Sequence, residues 1–347
     1  MTHLRSSLFV LSLASGAALF GTDASAQPQQ KTLTVAVPPA LPPITQSIVN
    51  VQTDRGQGAS NVATNGALDG VPILNGFHFR FSNGDHKLRR LSVIATSAQS
   101  ATIGITDKNS DDPYKAEATW INVKGGGTRG EVHAAGYSYF DVALPTQRPA
   151  GTRLVLTGFE FRDKDDQNVR MVGIWLDEAR NVARVSLVDW IGEWVSGVGS
   201  RLGTAGQPVN YNDHPAYLGP DSHSFPTAAA ADAWANDNDR QRYSHRAFAV
   251  HVQYAFIPNA IVEGEDYFTG TTRAPASGKM FQARAGIQGF EFYFDNKDHH
   301  LREIGVMPPL AGAATRTRVP ANEFIEFQDT NRDDPVKWAV KLLTIKP

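Results

Sequence analysis

Two acidic blocks are the residues best suited to chemistry. Asp107-Lys108-Asn109-Ser110-Asp111-Asp112-Pro113 pairs with Asp329-Thr330-Asn331-Arg332-Asp333-Asp334-Pro335. Alternate oxygen side chains on a turning backbone can converge on one hard cation, as in the first half of a calcium loop. The candidate ligands are Asp107, Asn109 and Asp111 in one block and Asp329, Asn331 and Asp333 in the other, with calcium as the candidate cofactor. The glycine that normally follows the third ligand is replaced by Asp112 and Asp334. Ala118 and Val340 stand where a bidentate Glu would complete the loop. An Asx-stabilised turn ending at proline accounts for the same residues, so both readings stay open.

Other reactive residues are sparser. Asp85-His86 and Asp298-His299-His300 offer too few spaced ligands for zinc and read as polar turn residues. No G-x-S-x-G elbow is present, and Gly125-Gly126-Gly127 lacks the Lys-Ser/Thr of a phosphate loop. Asp213-His214 and Asp221-Ser222-His223 are the acid–base candidates for a hydrolase, a minor reading because nothing in their spacing makes them meet.

These residues must be positioned by the chain around them. It has 347 residues, with 33 Lys+Arg against 35 Asp+Glu and no cysteine. Near-balanced charge gives no sign of a nucleic-acid partner. The absence of cysteine excludes disulfides, thiolate metal sites and a Cys nucleophile. Met1 to Ala26 reads as a secretory signal: Arg5, an apolar run from Leu8 to Phe20, then Ala24-Ser25-Ala26. No later segment has a membrane-spanning apolar run. The expectation is a secreted or periplasmic protein without a membrane span.

One pattern recurs three times. Gly76-Phe77-His78-Phe79-Arg80-Phe81 is followed by Asp85-His86-Lys87-Leu88-Arg89. Gly289-Phe290-Glu291-Phe292-Tyr293-Phe294 is followed by Asp298-His299-His300-Leu301-Arg302. A looser copy runs Gly158-Phe159-Glu160-Phe161, then Asp166-Gln167-Asn168-Val169-Arg170. Period-two alternation places the rings of each run on one face of a strand. That face is either a sandwich core or a sugar-stacking platform, and core is the commoner fate of phenylalanine. Arg89, Arg170 and Arg302 hold one position in the three copies, either as donors to ligand hydroxyls or as partners of nearby carboxylates. Asn83-Gly84 and Asp295-Asn296-Lys297 are hairpin-type turn sequences.

The fold class expected is all-β: tandem antiparallel β-sandwich units with a partly irregular or helical insertion in the middle one. The boundaries read as 1–26 for the signal, 27–69 for a linker and opening strand, 70–124 for the first unit, 125–258 for the second and 259–347 for the third. The insertion spans 191–246, and its Ala-rich stretch from Ala228 predicts a short helix.

The middle unit resembles the H-type lectin domain, a small six-stranded antiparallel sandwich. Leu154-Val155-Leu156-Thr157-Gly158-Phe159, the acidic turn Asp163 to Asp166, Asn168-Val169-Arg170, Val185 to Trp190 and the strand Ala249 to Ile257 carry the likeness. That family binds sugars such as N-acetylgalactosamine and assembles as trimers. The resemblance implies Arg170 and Trp190 as sugar contacts, with Arg89 and Arg302 as repeat equivalents of Arg170. Three units in one chain would make a covalent pseudo-trimer. The leading expectation is an exported, non-catalytic carbohydrate-binding protein whose partner is a glycan. The alternative is a calcium-stabilised surface or structural protein.

Overall fold

A computed structural model describes residues 41–52, 58–108, 112–188, 222–238, 247–271, 284–294, 299–308, 324–330 and 336–347. The expected signal at 1–26 lies outside them. The protein is all-β, as the alternating runs require. Ahead of the first copy come β1 (Ile44–Gln52) and β2 (Ser60–Ala63). The first copy supplies β3 (Val71–Phe81), β4 (Leu88–Ser97), β5 (Ser100–Thr106) and β6 (Tyr114–Val123). The second opens with β7 (Thr128–Tyr137) and β8 (Tyr139–Ala143), then β9 (Thr152–Gln167), β10 (Met171–Asp177) and β11 (Val182–Val188). It closes with β12 (His223–Phe225), helix α1 (Ala228–Asn238) and β13 (Ala247–Pro258). The third contains β14 (Val262–Gly270), β15 (Ala285–Phe294), β16 (Glu303–Met307), β17 (Phe324–Gln328) and β18 (Val336–Ile345).

These strands form three antiparallel sheets, ordered β1-β6-β3-β16-β17, β12-β7-β13-β9-β4-β5-β2 and β14-β18-β15-β10-β11-β8. Each sheet centres on a phenylalanine strand, β3, β9 or β15. On one side that strand pairs with the closing strand of its own copy: β6, β13 or β18. On the other it pairs with a strand of a different copy. β3 takes β16 from the third, β9 takes β4 from the first, and β15 takes β10 from the second. The exchange is cyclic. Backbone pairs repeat the cycle at or just beyond the strand ends: His86 with Leu301, His299 with Val169, and Gln167 with Leu88. The copies are therefore not self-contained sandwiches. Asn83-Gly84, a hairpin sequence, instead crosses between sheets, because β3 and β4 belong to different sheets and do not pair with each other.

Packing explains the exchange. Phe77, Phe79, Phe81, Phe159, Phe161, Phe290, Phe292 and Phe294 are completely buried, which makes the aromatic runs core. Each such burial is worth about 1.5–3 kcal/mol. The first ring of each copy meets the other two: Phe77–Phe159 5.1 Å, Phe77–Phe290 4.9 Å and Phe159–Phe290 5.2 Å between centroids. One apolar cluster joins all three sheets. A second, smaller cluster also draws on every copy, with Ile73 and Val123, Val155 and Ile257, and Leu343 and Ile345.

The residue before each repeat glycine sits at a bulge: Asn75, Thr157 and Gln288. Bulging turns polar side chains toward the next copy, so Asn75 donates to Ala285 O at 2.7 Å and Gln288 to Leu154 O at 2.9 Å. The glycines admit close approach. A Cβ on Gly158 would lie 2.6 Å from Val93 O, and one on Gly76 2.9 Å from Val306 O. α1 covers the outer face of the second sheet, where Ala231 and Ala235 pack on Ala135, Ala247 and Ala249. The expected insertion helix is thus present. Asn236-Asp237-Asn238 form its last turn.

Candidate functional site

The residues between the inward rings face outward: His78 on β3 and Glu160 on β9. Each meets a side chain on a strand from another copy. His78 Nε2 lies 2.7 Å from Glu303 Oε1 on β16. Arg90 on β4 donates from Nε to Glu160 Oε1 at 2.7 Å, and Arg162 also pairs with Glu160. Glu303 and Arg90 are repeat equivalents, so the two junctions carry the same acid–base pairing with the partners exchanged. Burial would raise Glu160, but Arg162 and Arg90 outweigh it and hold the carboxyl below its ordinary range.

The second sheet uses this pairing to shape a cleft of about 380 Å³, where β4 and β5 of the first copy meet β9 and α1 of the second. Arg89, Arg90, Arg162 and Lys164 line it, with Asp163 and Asp232 as the carboxylates. Arg162 Nε donates to Asp232 Oδ1 at 2.7 Å, tying the wall to α1. Arg89 donates from Nη1 to Lys108 O at 3.2 Å and has no carboxylate partner among the described residues. Its remaining donors suit a carboxylate, sulfate or hydroxyl-bearing ligand.

The sequence-selected arginines fall at three separate crossovers. Arg89 alone lines the cleft. Arg170 is only 2% exposed, donates from Nη2 to Tyr293 Oη at 2.8 Å and lies over that ring at 4.8 Å. It joins the second copy to the third from inside the protein. Arg302 uses its backbone N–H for Gln328 O and its carbonyl for Phe81 N–H. Trp190 lies outside the described residues, as do Asp213 and His214.

Asp107 and Asp329 occupy equivalent buried positions, each beside a histidine that packs on the last phenylalanine of its run. His86 Nδ1 is 3.6 Å from Asp107 Oδ2, and His299 Nδ1 is 3.0 Å from Asp329 Oδ2. The ring distances are 4.6 Å for Phe81–His86 and 4.5 Å for Phe294–His299. Asp112 completes the first cluster, with Oδ2 3.0 Å from His86 Nδ1 and Oδ1 accepting from Asn83 at 2.6 Å. Burial would raise Asp112, but a hydrogen bond shared with Asp107, one donated by Asn83 and the nearby His86 lower it. A nitrogen donor amid the oxygens departs from an all-oxygen calcium set. Asn109, Asp111, Asn331 and Asp333 lie outside the described residues. Sequence reasoning placed these histidines in turns. The signal it passed over was their recurrence at one spacing from the last phenylalanine. Glu160 stood in the repeat only as the polar residue between two rings, and Arg162 and Asp232 carried no motif at all.

No helix among the described residues is long and apolar enough to cross a membrane. No family model matches the chain, and no curated protein matches it.

Proposed function

We propose that the protein is an exported carbohydrate-binding protein, and that the cleft between β4, β9 and α1 seats the glycan. One observation carries the reading: Arg89, which the H-type lectin resemblance implies as the repeat equivalent of a sugar contact, lines this cleft together with Arg90, Arg162 and Lys164. Glu160 and Asp232 already hold Arg90 and Arg162, so Arg89 and Lys164, set against Asp163, are the cations left to favour an acidic glycan, bearing carboxylate or sulfate, over a neutral one. The signal sequence Met1 to Ala26 would deliver the protein outside the cytoplasm, where such glycans are displayed. The three cyclically paired copies would stand in for the three subunits of an H-type lectin trimer.

A glycan array spanning neutral, carboxylated and sulfated sugars tests this. Binding to acidic members, weakened about tenfold or more by Arg89→Ala, is the expected result. That loss corresponds to the ~1.5–3 kcal/mol of a hydrogen bond to a charged group. Silence across the array overturns the reading.

A second reading, a calcium-stabilised surface protein, draws on the equivalent burial of Asp107 and Asp329 at the heads of the two acidic blocks. It expects calcium to raise the melting temperature and chelator to lower it. A melt indifferent to both removes it.

A further inference from the structure

Away from the cleft lining, the outer face of the second sheet carries two histidines side by side. His133 on β7 and His251 on β13 are direct partners in the antiparallel register. Their ring centroids are 4.1 Å apart with planes tilted 36°. Glu131 precedes His133 by two residues and so projects from the same face of β7. Its Oε2 lies 3.0 Å from His251 Nε2. One donor atom from each of the three residues falls within 4.8 Å of the other two.

We propose that Glu131, His133 and His251 form a binding site for one divalent transition-metal ion of the zinc type. Two imidazole nitrogens and one carboxylate are a borderline donor set, suited to zinc and unlike the all-oxygen set that calcium takes. Zinc–nitrogen bonds of about 2.0–2.1 Å need only a small inward shift of donors already this close. Three protein ligands leave a fourth position for water, and Glu131 at the solvent side, with its side chain 58% exposed, gives the ion a way in.

The surroundings favour this occupant. His133 Nδ1 is buried without a hydrogen-bond partner among the described residues. In the next row of the sheet Ala135 and Ala249, roofed by Ala231 and Ala235 of α1, make a dry wall. The site is independent of the glycan reading, since none of its three ligands lines the cleft.

The full chain, stripped with chelator and dialysed, is titrated with Co²⁺ and followed by visible absorption; Zn²⁺ is then added as competitor. The expected result is one Co²⁺ with the intense bands of a tetrahedral or five-coordinate centre, displaced by Zn²⁺. His133→Ala and His251→Ala should weaken binding by more than the ~10–100-fold that loss of a supporting hydrogen bond costs. Glu131→Gln, on the solvent side where the fold is not at stake, should weaken it too. Asp112→Asn, in the separate His86 cluster, should leave these bands unchanged. The proposal is overturned if no Co²⁺ binds. It is equally overturned if the bands survive all three ligand substitutions, or if Asp112→Asn abolishes them while Glu131→Gln does not.

Discussion

Replacing Phe159 by alanine would remove a ring on which Phe77 and Phe290 both lean. The expected cost is about 3–5 kcal/mol, read from denaturant unfolding, because the hole opens where all three sheets meet and no single strand can move to fill it. Glu303 supplies a second test at this scale. Burial would raise its carboxyl, but the hydrogen bond from His78 leads the effects that hold it low. A depressed carboxylate stabilises the fold above its unfolded value, about 4.3 for glutamate, and that stability disappears as pH falls through the lower folded value. The melting temperature of Glu303→Gln should therefore fall less steeply with acid than that of the parent. Parallel acid limbs would remove the His78–Glu303 contribution. At neutral pH the substitution should cost about 1.5–3 kcal/mol, since the pair joins the first copy to the third. The Phe spacing was legible as core because alternation survives any choice of partner strand. Glu160 and Arg162 were not, because what makes Glu160 a hub is Arg90, far away in sequence on a strand of another copy.

Strand existence was readable element by element; strand partnership was not. The expected strand Ala249 to Ile257 lies in β13, and the phenylalanine runs lie in β3, β9 and β15. Yet Asn83-Gly84 reads as a hairpin and serves as a crossover. Local turn chemistry encodes where a chain bends, and the sheet it then joins depends on edges offered from elsewhere. The repeat glycines record that choice. Gly158→Ala should destabilise the protein by about 1–3 kcal/mol, because the added methyl meets the Val93 carbonyl, a backbone atom with little room to yield. Gly264→Ala on β14, where nothing lies within 4 Å of the new methyl, is the control and should leave the melting temperature nearly unchanged. If both variants melt alike, close approach is not why glycine opens the repeat. The same blindness to partners hid the candidate metal site, whose histidines meet only through the register of β7 with β13.

For the molecule as a whole, cyclic exchange predicts that one copy cannot stand alone. A fragment spanning 41–124 retains β3 with β6 and β4 with β5, but neither pair has the other-copy strand that completes its sheet. As a monomer it should show poorly dispersed amide resonances and rapid hydrogen exchange. A folded, protected monomer would contradict the exchange described for the intact chain. Threefold recurrence was legible in the sequence. Its interleaving was not, since three separate sandwiches and one braided body need the same inward phenylalanines.

The pairing of β3 with β16 also bears on how the chain is made. A ribosome finishes β3 long before it reaches Glu303, so one margin of the earliest ribbon has no mate while most of the polypeptide is still to come. Folding cannot proceed stepwise from the leading end. Until the third copy emerges, β3 lacks one of its two neighbours, so its sheet is completed late.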